Sequence, residues 1–210
     1  MPNAVGTRSG RVLLVGLFGG LTLGVLARLW MRTISTDPEF SWGGTIGILI
    51  VFVVFGIAQA SVHVLRKRVT GKQRTTTVRL IGGLFSLSIF VGAGGLMFPT
   101  VAMGSIALWR REFSNKTRII LVALSLIIPG TVAVGVIADF GWEVASVGKV
   151  FFMILIYGAV VIATQPTVSA YEDPNYIPEP MSKLRKVVIF IGIVFVCVFF
   201  FLLTAGIPGR

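Results

Sequence analysis

The chain has 210 residues, of which 55% are hydrophobic and only 13% charged, with a mean hydropathy of +0.91 and a formal net charge of +11. A soluble domain carries roughly a quarter of its residues as charges, and its core is too small to hide this much apolar surface. A soluble globular protein and a disordered chain are therefore excluded, and the single cysteine, Cys197, excludes a disulfide scaffold.

Residues 12–27 form the first uncharged run. Leu29, Trp30 and Met31 prolong it past Arg28, whose long side chain can snorkel to an interface, so a helix is predicted over roughly 11–31. No A-x-A-like cleavage site follows, and the segment reads as an anchor. Gly16, Gly20 and Gly24 recur at four-residue spacing and present a small-residue face on which a second helix can pack closely. Beyond it, Thr36 and Glu39 have capping-box spacing and Pro38 fits a first turn, which predicts a helix start there. The second span is predicted over 42–65, with Gln59, Ser61 and His63 near its end.

The segment 66–79 is basic and reads as a cytoplasmic loop. Arg66, Lys67, Arg68, Lys72, Arg74 and Arg79 set topology there, and they also offer contacts to anionic lipid headgroups. The run 80–109 is longer than one crossing and shorter than two. Basic residues concentrate on the cytoplasmic side. If 80–109 enters and leaves on that side, 15 basic residues lie inside and 4 outside, whereas a single crossing gives 10 and 9. The run therefore reads as two short spans, 79–98 and 99–110, with a re-entrant hairpin as the competing form. The interruption falls between Gly92 and Pro99, where glycine and proline allow a membrane helix to break.

Further helices are predicted over 119–139, 148–165 and 187–206. Pro129, Gly130 and Thr131 interrupt the first of these, and a Pro-rich cytoplasmic loop, 166–186, precedes the last. That loop reads either as a tether or as a cap folded back over the cytoplasmic mouth, with Glu172 and Asp173 facing the basic loops. The whole is an all-α, polytopic membrane bundle of six to seven helices in a single domain, with its N-terminus in the cytoplasm. On the outer side, Asp37, Glu39, Asp139 and Glu143 are opposed to Arg28, Arg32 and Lys149, an arrangement that predicts a pairing network, or alternatively a polar path beside Arg28. Trp30, Trp42 and Trp142 fall at expected outer boundaries and Trp109 at an inner one. The Asn115 sequon lies on the cytoplasmic side in this topology and should be idle.

Chemistry is sparse. One histidine, His63, leaves no two-histidine metal or haem site within the chain. A pairing of His63 with Ser105 lacks an orienting acid, and Cys197 reads as a buried thiol. No span carries a central acid for a proton relay. The high positive charge comes without interleaved aromatics or zinc ligands, so nucleic acid is not an expected partner. The expected role is that of a non-catalytic membrane component with no cofactor or metal. Its expected partners are the bilayer, anionic lipids, and a membrane-protein partner or a second copy. The alternative is a small-solute permease built on the interruptions at 92–99 and 129–131. The expected location is the bacterial inner membrane.

Overall fold

The computed structural model describes residues 4–35, 41–69 and 72–170, so the expected 187–206 helix, Asp37, Glu39, Glu172 and Asp173 lie outside the described residues. The described residues form an all-α membrane bundle without strands, built from α1 (Ala4–Ile34), α2 (Trp42–Arg66), α3 (Lys72–Ser86), α4 (Phe98–Trp109), α5 (Asn115–Ser125), α6 (Ile127–Phe140), α7 (Val144–Ala163) and the short α8 (Gln165–Val168). Four stretches are long and apolar enough to cross a membrane: Ser9–Ile34, Trp42–Arg66, Asn115–Phe140 and Val144–Ala163. Gly95–Trp109 is a shorter apolar helix.

The antiparallel pair α1 and α2 is the most extensively packed among the described residues. In a membrane the apolar effect does not drive helices together, so close approach and hydrogen bonds must hold them. Gly16, Gly20 and Gly24 all face α2: a Cβ on Gly16 would lie 2.5 Å from both the Gly56 carbonyl oxygen and the Ala60 Cβ. On Gly20 it would strike the Phe52 carbonyl, and on Gly56 the Gly16 carbonyl. Contact is thus backbone to backbone. Phe52 and Phe55 on the same helix turn inward and join Trp30, Met97, Val101, Met153, Ile156 and Val160 in the core.

Several boundaries differ from the sequence expectation. α2 is capped by Ser41, whose hydroxyl accepts from Gly44 N–H, and the helix start expected at Thr36 and Glu39 lies outside the described residues. Most of the expected basic loop 66–79 is helical, because α3 begins at Lys72 and extends the hairpin limb by two turns of Lys, Gln, Arg and Thr. The α-helix expected over 79–98 stops at Ser86 and continues as two 3₁₀ segments, Leu87–Phe90 and Gly92–Met97, before α4 starts with Pro99 in its first turn. The helix expected over 119–139 is divided at Leu126. Pro129 has no N–H to give to Ser125, four residues earlier, so the break precedes the proline by one turn. Gly141, at φ +77°, ends α6 in a conformation that favours glycine.

Two tryptophans expected at boundaries are core residues. Trp30 donates its indole N–H to the Lys149 carbonyl at 2.9 Å and meets Tyr157 edge-on, tying α1 to α7. Trp109 donates to the Val161 carbonyl at 2.9 Å, tying α4 to α7. Each ring is buried while its N–H finds a backbone acceptor. Trp42 and Trp142 are exposed.

Candidate functional site

The hairpin made by α3, the 3₁₀ segments and α4 opens a groove on one side of the bundle, with a volume of about 980 Å³. Its walls are apolar and come from both limbs: Leu80, Leu84 and Leu87 on one, Phe98, Ala102 and Ile106 on the other. Leu80 and Leu84 are more than two-thirds exposed, so this wall has no covering among the described residues. From Arg79 to Phe90 the wall runs roughly 16 Å at helical rise, about the depth of one leaflet's hydrocarbon. Arg79 and Arg110, the two ends of the uncharged run, stand at the same mouth, close enough for their charges to act on one another. The segment therefore leaves and returns at one end of the bundle.

Beneath the groove lies a buried hydroxyl and amide network. Gln59 on α2 donates its amide to Ser86 Oγ at 2.7 Å, and Ser86 in turn donates to the Gly82 carbonyl. Thr167 donates to Gln59 Oε1 at 3.2 Å and also faces the Thr164 carbonyl. Thr164 and Ser105 share a hydroxyl hydrogen bond of 2.7 Å. All five side chains are at least nine-tenths buried. Each polar group finds a partner, as a low-dielectric interior requires. The network joins α2, α3, α4 and the α7–α8 junction into one floor. Ser88, two residues further along, donates to the Val51 carbonyl at 3.0 Å.

Two arginines fix the chain where it passes the mouth. Arg66 donates from Nη1 to the Pro166 carbonyl and Ser169 Oγ, and from Nη2 to the Ala170 carbonyl. Arg79 donates from Nε to the Thr167 carbonyl at 2.7 Å and from Nη2 to the Val168 carbonyl at 2.9 Å. The guanidinium fork satisfies the carbonyls left unpaired around the end of α8. Arg110 pairs with Glu112 at the rim. Burial pushes the Glu112 carboxyl up, but the hydrogen bond from Arg110, a bond from its own backbone, and the charges of Arg110 and Arg79 outweigh this and hold it below the usual carboxylate range.

Arg28 donates from Nε to Thr45 Oγ1 at 3.0 Å, and Lys149 Nζ sits 3.1 Å from the centre of the Phe140 ring. Arg32 lies in the last turn of α1, and Asp139 near the end of α6. Among the basic residues of 66–79, Arg66 and Arg79 serve the carbonyl clamp, Arg68 donates to Ser9 Oγ, Lys67 caps α2, Lys72 opens α3 and Arg74 is exposed on it. Ser105 is sealed beneath the groove on Thr164, whereas His63 is exposed and lines a different cavity. The elements that carry the interruptions at 92–99 and 129–131 are neighbours, α6 packing on the second 3₁₀ segment and on α4. The Thr100 hydroxyl, in the first turn of α4, is buried without a hydrogen-bond partner among the described residues. Thr164 and Thr167 carried no weight in the sequence reading; their only signal was three-residue spacing around Pro166 at the end of an apolar run. Among the described residues no group of three or more His, Cys, Asp or Glu side chains is placed to hold a metal ion.

No protein-family model, curated protein or solved structure matches the chain.

Proposed function

We propose that the protein is a non-catalytic, multi-pass membrane component that holds one lipid in the groove between α3 and α4. The groove carries this reading: it has apolar walls about one leaflet deep and a cationic mouth at one end, matching an acyl chain and an anionic headgroup. Lipid is a better match than a water-soluble solute because the walls are Leu and Phe, and the polar atoms beneath them are already hydrogen-bonded to one another. In this reading the Arg66 end faces the cytoplasm, since 15 of the 19 basic residues then lie inside. The N-terminus is also cytoplasmic, and the membrane is a bacterial plasma membrane. No catalytic residue, metal or cofactor is assigned.

A photo-crosslinking residue in place of Leu84 tests this in intact membranes. Irradiation should add the mass of a single phospholipid to the chain, and Arg110→Gln should lower the recovery of anionic lipid at least threefold. Any result without a lipid adduct overturns the proposal. A crosslink to a second polypeptide would make the groove a subunit interface. A crosslink to 187–209 of the same chain would make it an intramolecular seat. The permease alternative draws its support from the packing of α6 on the second 3₁₀ segment and on α4, and from the Thr100 hydroxyl, which has no hydrogen-bond partner among the described residues. It would replace the lipid reading if no adduct formed while reconstituted protein showed solute flux that Gly94→Leu abolished.

A further inference from the structure

On the other side of α8 from the groove lies a second, smaller cavity of about 220 Å³, lined by His63, Arg66, Lys67, Thr75, Gln165 and Ser169. These side chains come from three places: the last turn of α2, the first turn of α3 and the α8 turn. The carbonyl clamp of Arg66 on Pro166, Ser169 and Ala170 holds the α8 wall against α2. That clamp, together with Arg79 on the Thr167 and Val168 carbonyls, holds 165–170 against the basic end of α2.

The lining is chemically one-sided. Lys67 is a compact ammonium with three donors and Arg66 a permanent cation, while His63, Gln165 and Ser169 bring ring N–H, amide and hydroxyl donors. Among the described residues no carboxylate lines it. The volume has room for several water-sized groups and so accommodates a tetrahedral oxyanion. The C-terminus of α2 contributes about half a negative charge, which opposes an anion. That partial charge is outnumbered by two full cations on adjacent residues. Lys67 and His63 are both exposed on the open side, so an incoming group reaches them without rearranging the bundle.

We infer that this cup binds a phosphate-type oxyanion, either the headgroup of an anionic lipid or a free phosphate, through Lys67, His63 and the hydroxyl and amide donors around them. The site uses different side chains from the lipid groove and stands whether or not the groove is filled. Arg66 supplies charge and holds the wall; Lys67 and His63 make the contacts that decide affinity.

His63 is the only histidine in the chain, so its imidazole NMR signals are assignable without further substitution. The full-length protein in zwitterionic phosphatidylcholine nanodiscs is titrated with inorganic phosphate, with sodium chloride at matched ionic strength as the reference. Saturable movement of the His63 signals with phosphate and none with chloride is expected, together with at least a tenfold weaker response in Lys67→Gln. Lys116→Gln, an exposed change of the same type that lines no part of the cup, should titrate as the wild type does. Nanodiscs containing phosphatidic acid, without added phosphate, separate the two sources. Displaced His63 signals there, with little further response to phosphate, place the ligand in the bilayer. Unmoved signals there, with a full phosphate response, make it a free anion. No response to either probe overturns the inference. So does a response that chloride reproduces, or one that Lys67→Gln leaves intact.

Discussion

Gln59 is the one side chain that reaches both halves of the buried network, giving its amide N–H to Ser86 and accepting from Thr167. Its neighbours each retain a second bond, Ser86 to the Gly82 carbonyl and Thr167 to the Thr164 carbonyl. Replacing it by leucine therefore removes two hydrogen bonds without stranding a donor. Side-chain hydrogen bonds between membrane helices contribute about 0.6 kcal/mol on average, and an unpaired acceptor adds to that. Gln59→Leu should lower stability by about 1–2 kcal/mol, read from denaturant unfolding in mixed micelles with Trp fluorescence as the signal. A loss below the measurement error would mean that the network fills space without holding the helices. The Arg110–Glu112 pair is a weaker case. Both side chains are at least one-third exposed, and such pairs contribute little.

At the scale of the elements, the molecule depends on where helices can approach and where they must break. On α1, Gly20 touches the α2 backbone, while the neighbouring Gly19 is exposed with open space around it. A methyl group on Gly20 must push the helices apart, and overpacking of this kind costs about 1–3 kcal/mol. The same methyl on Gly19 meets nothing and gains helix propensity of up to about 1 kcal/mol. Gly20→Ala should therefore destabilise and Gly19→Ala should be neutral or stabilising in the same unfolding assay. Equal effects would show that α1 and α2 pack differently. The divided helix α5–α6 and the 3₁₀ stretch before α4 follow the same logic in reverse. Pro129 and the Gly92–Met97 segment forgo regular α-helical hydrogen bonds, and α6 packs on that segment.

For the molecule as a whole, the decisive question is which way the hairpin faces. Thr76 and Asn115 lie on either side of the 80–109 run, and Arg79 and Arg110 converge on one mouth. Single cysteines, Thr76→Cys and Asn115→Cys in a Cys197→Ala background, should both resist an impermeant thiol reagent added outside intact cells. Labelling of Asn115→Cys alone would mean that the run crosses once, contradicting both the charge count and the hairpin geometry. Much of the surface faces outward: only 17% of the most apolar window of Ser9–Ile34, and the same share of Asn115–Phe140, is buried inside the bundle. Stability then rests on the α1–α2 glycine contact, the tryptophan ties to α7 and the polar floor under the groove.

Composition and run length alone determined that the chain is a helical membrane bundle, because about 20 apolar residues per crossing is a requirement of bilayer thickness. The four-residue spacing of Gly16, Gly20 and Gly24 marked the packing face for the same kind of reason: it is a one-helix periodicity, visible without a partner. The break in α5–α6 was legible to within a turn from Pro129, whose backbone effect is local, whereas α3 ends at Ser86, ahead of the glycines that mark the first interruption. What only the tertiary structure decided involves residues far apart in the chain. Gln59 and Thr167 are separated by 108 residues and Arg66 and Ala170 by 104, yet each pair is hydrogen-bonded. Trp30 and Trp109 look like interface residues by position and become core residues because α7 offers each a backbone carbonyl. The basic segment looked like a loop because charge was read as solvation. Part of that charge is spent on carbonyls at the end of α8, and those acceptors exist only after the chain has folded back upon itself.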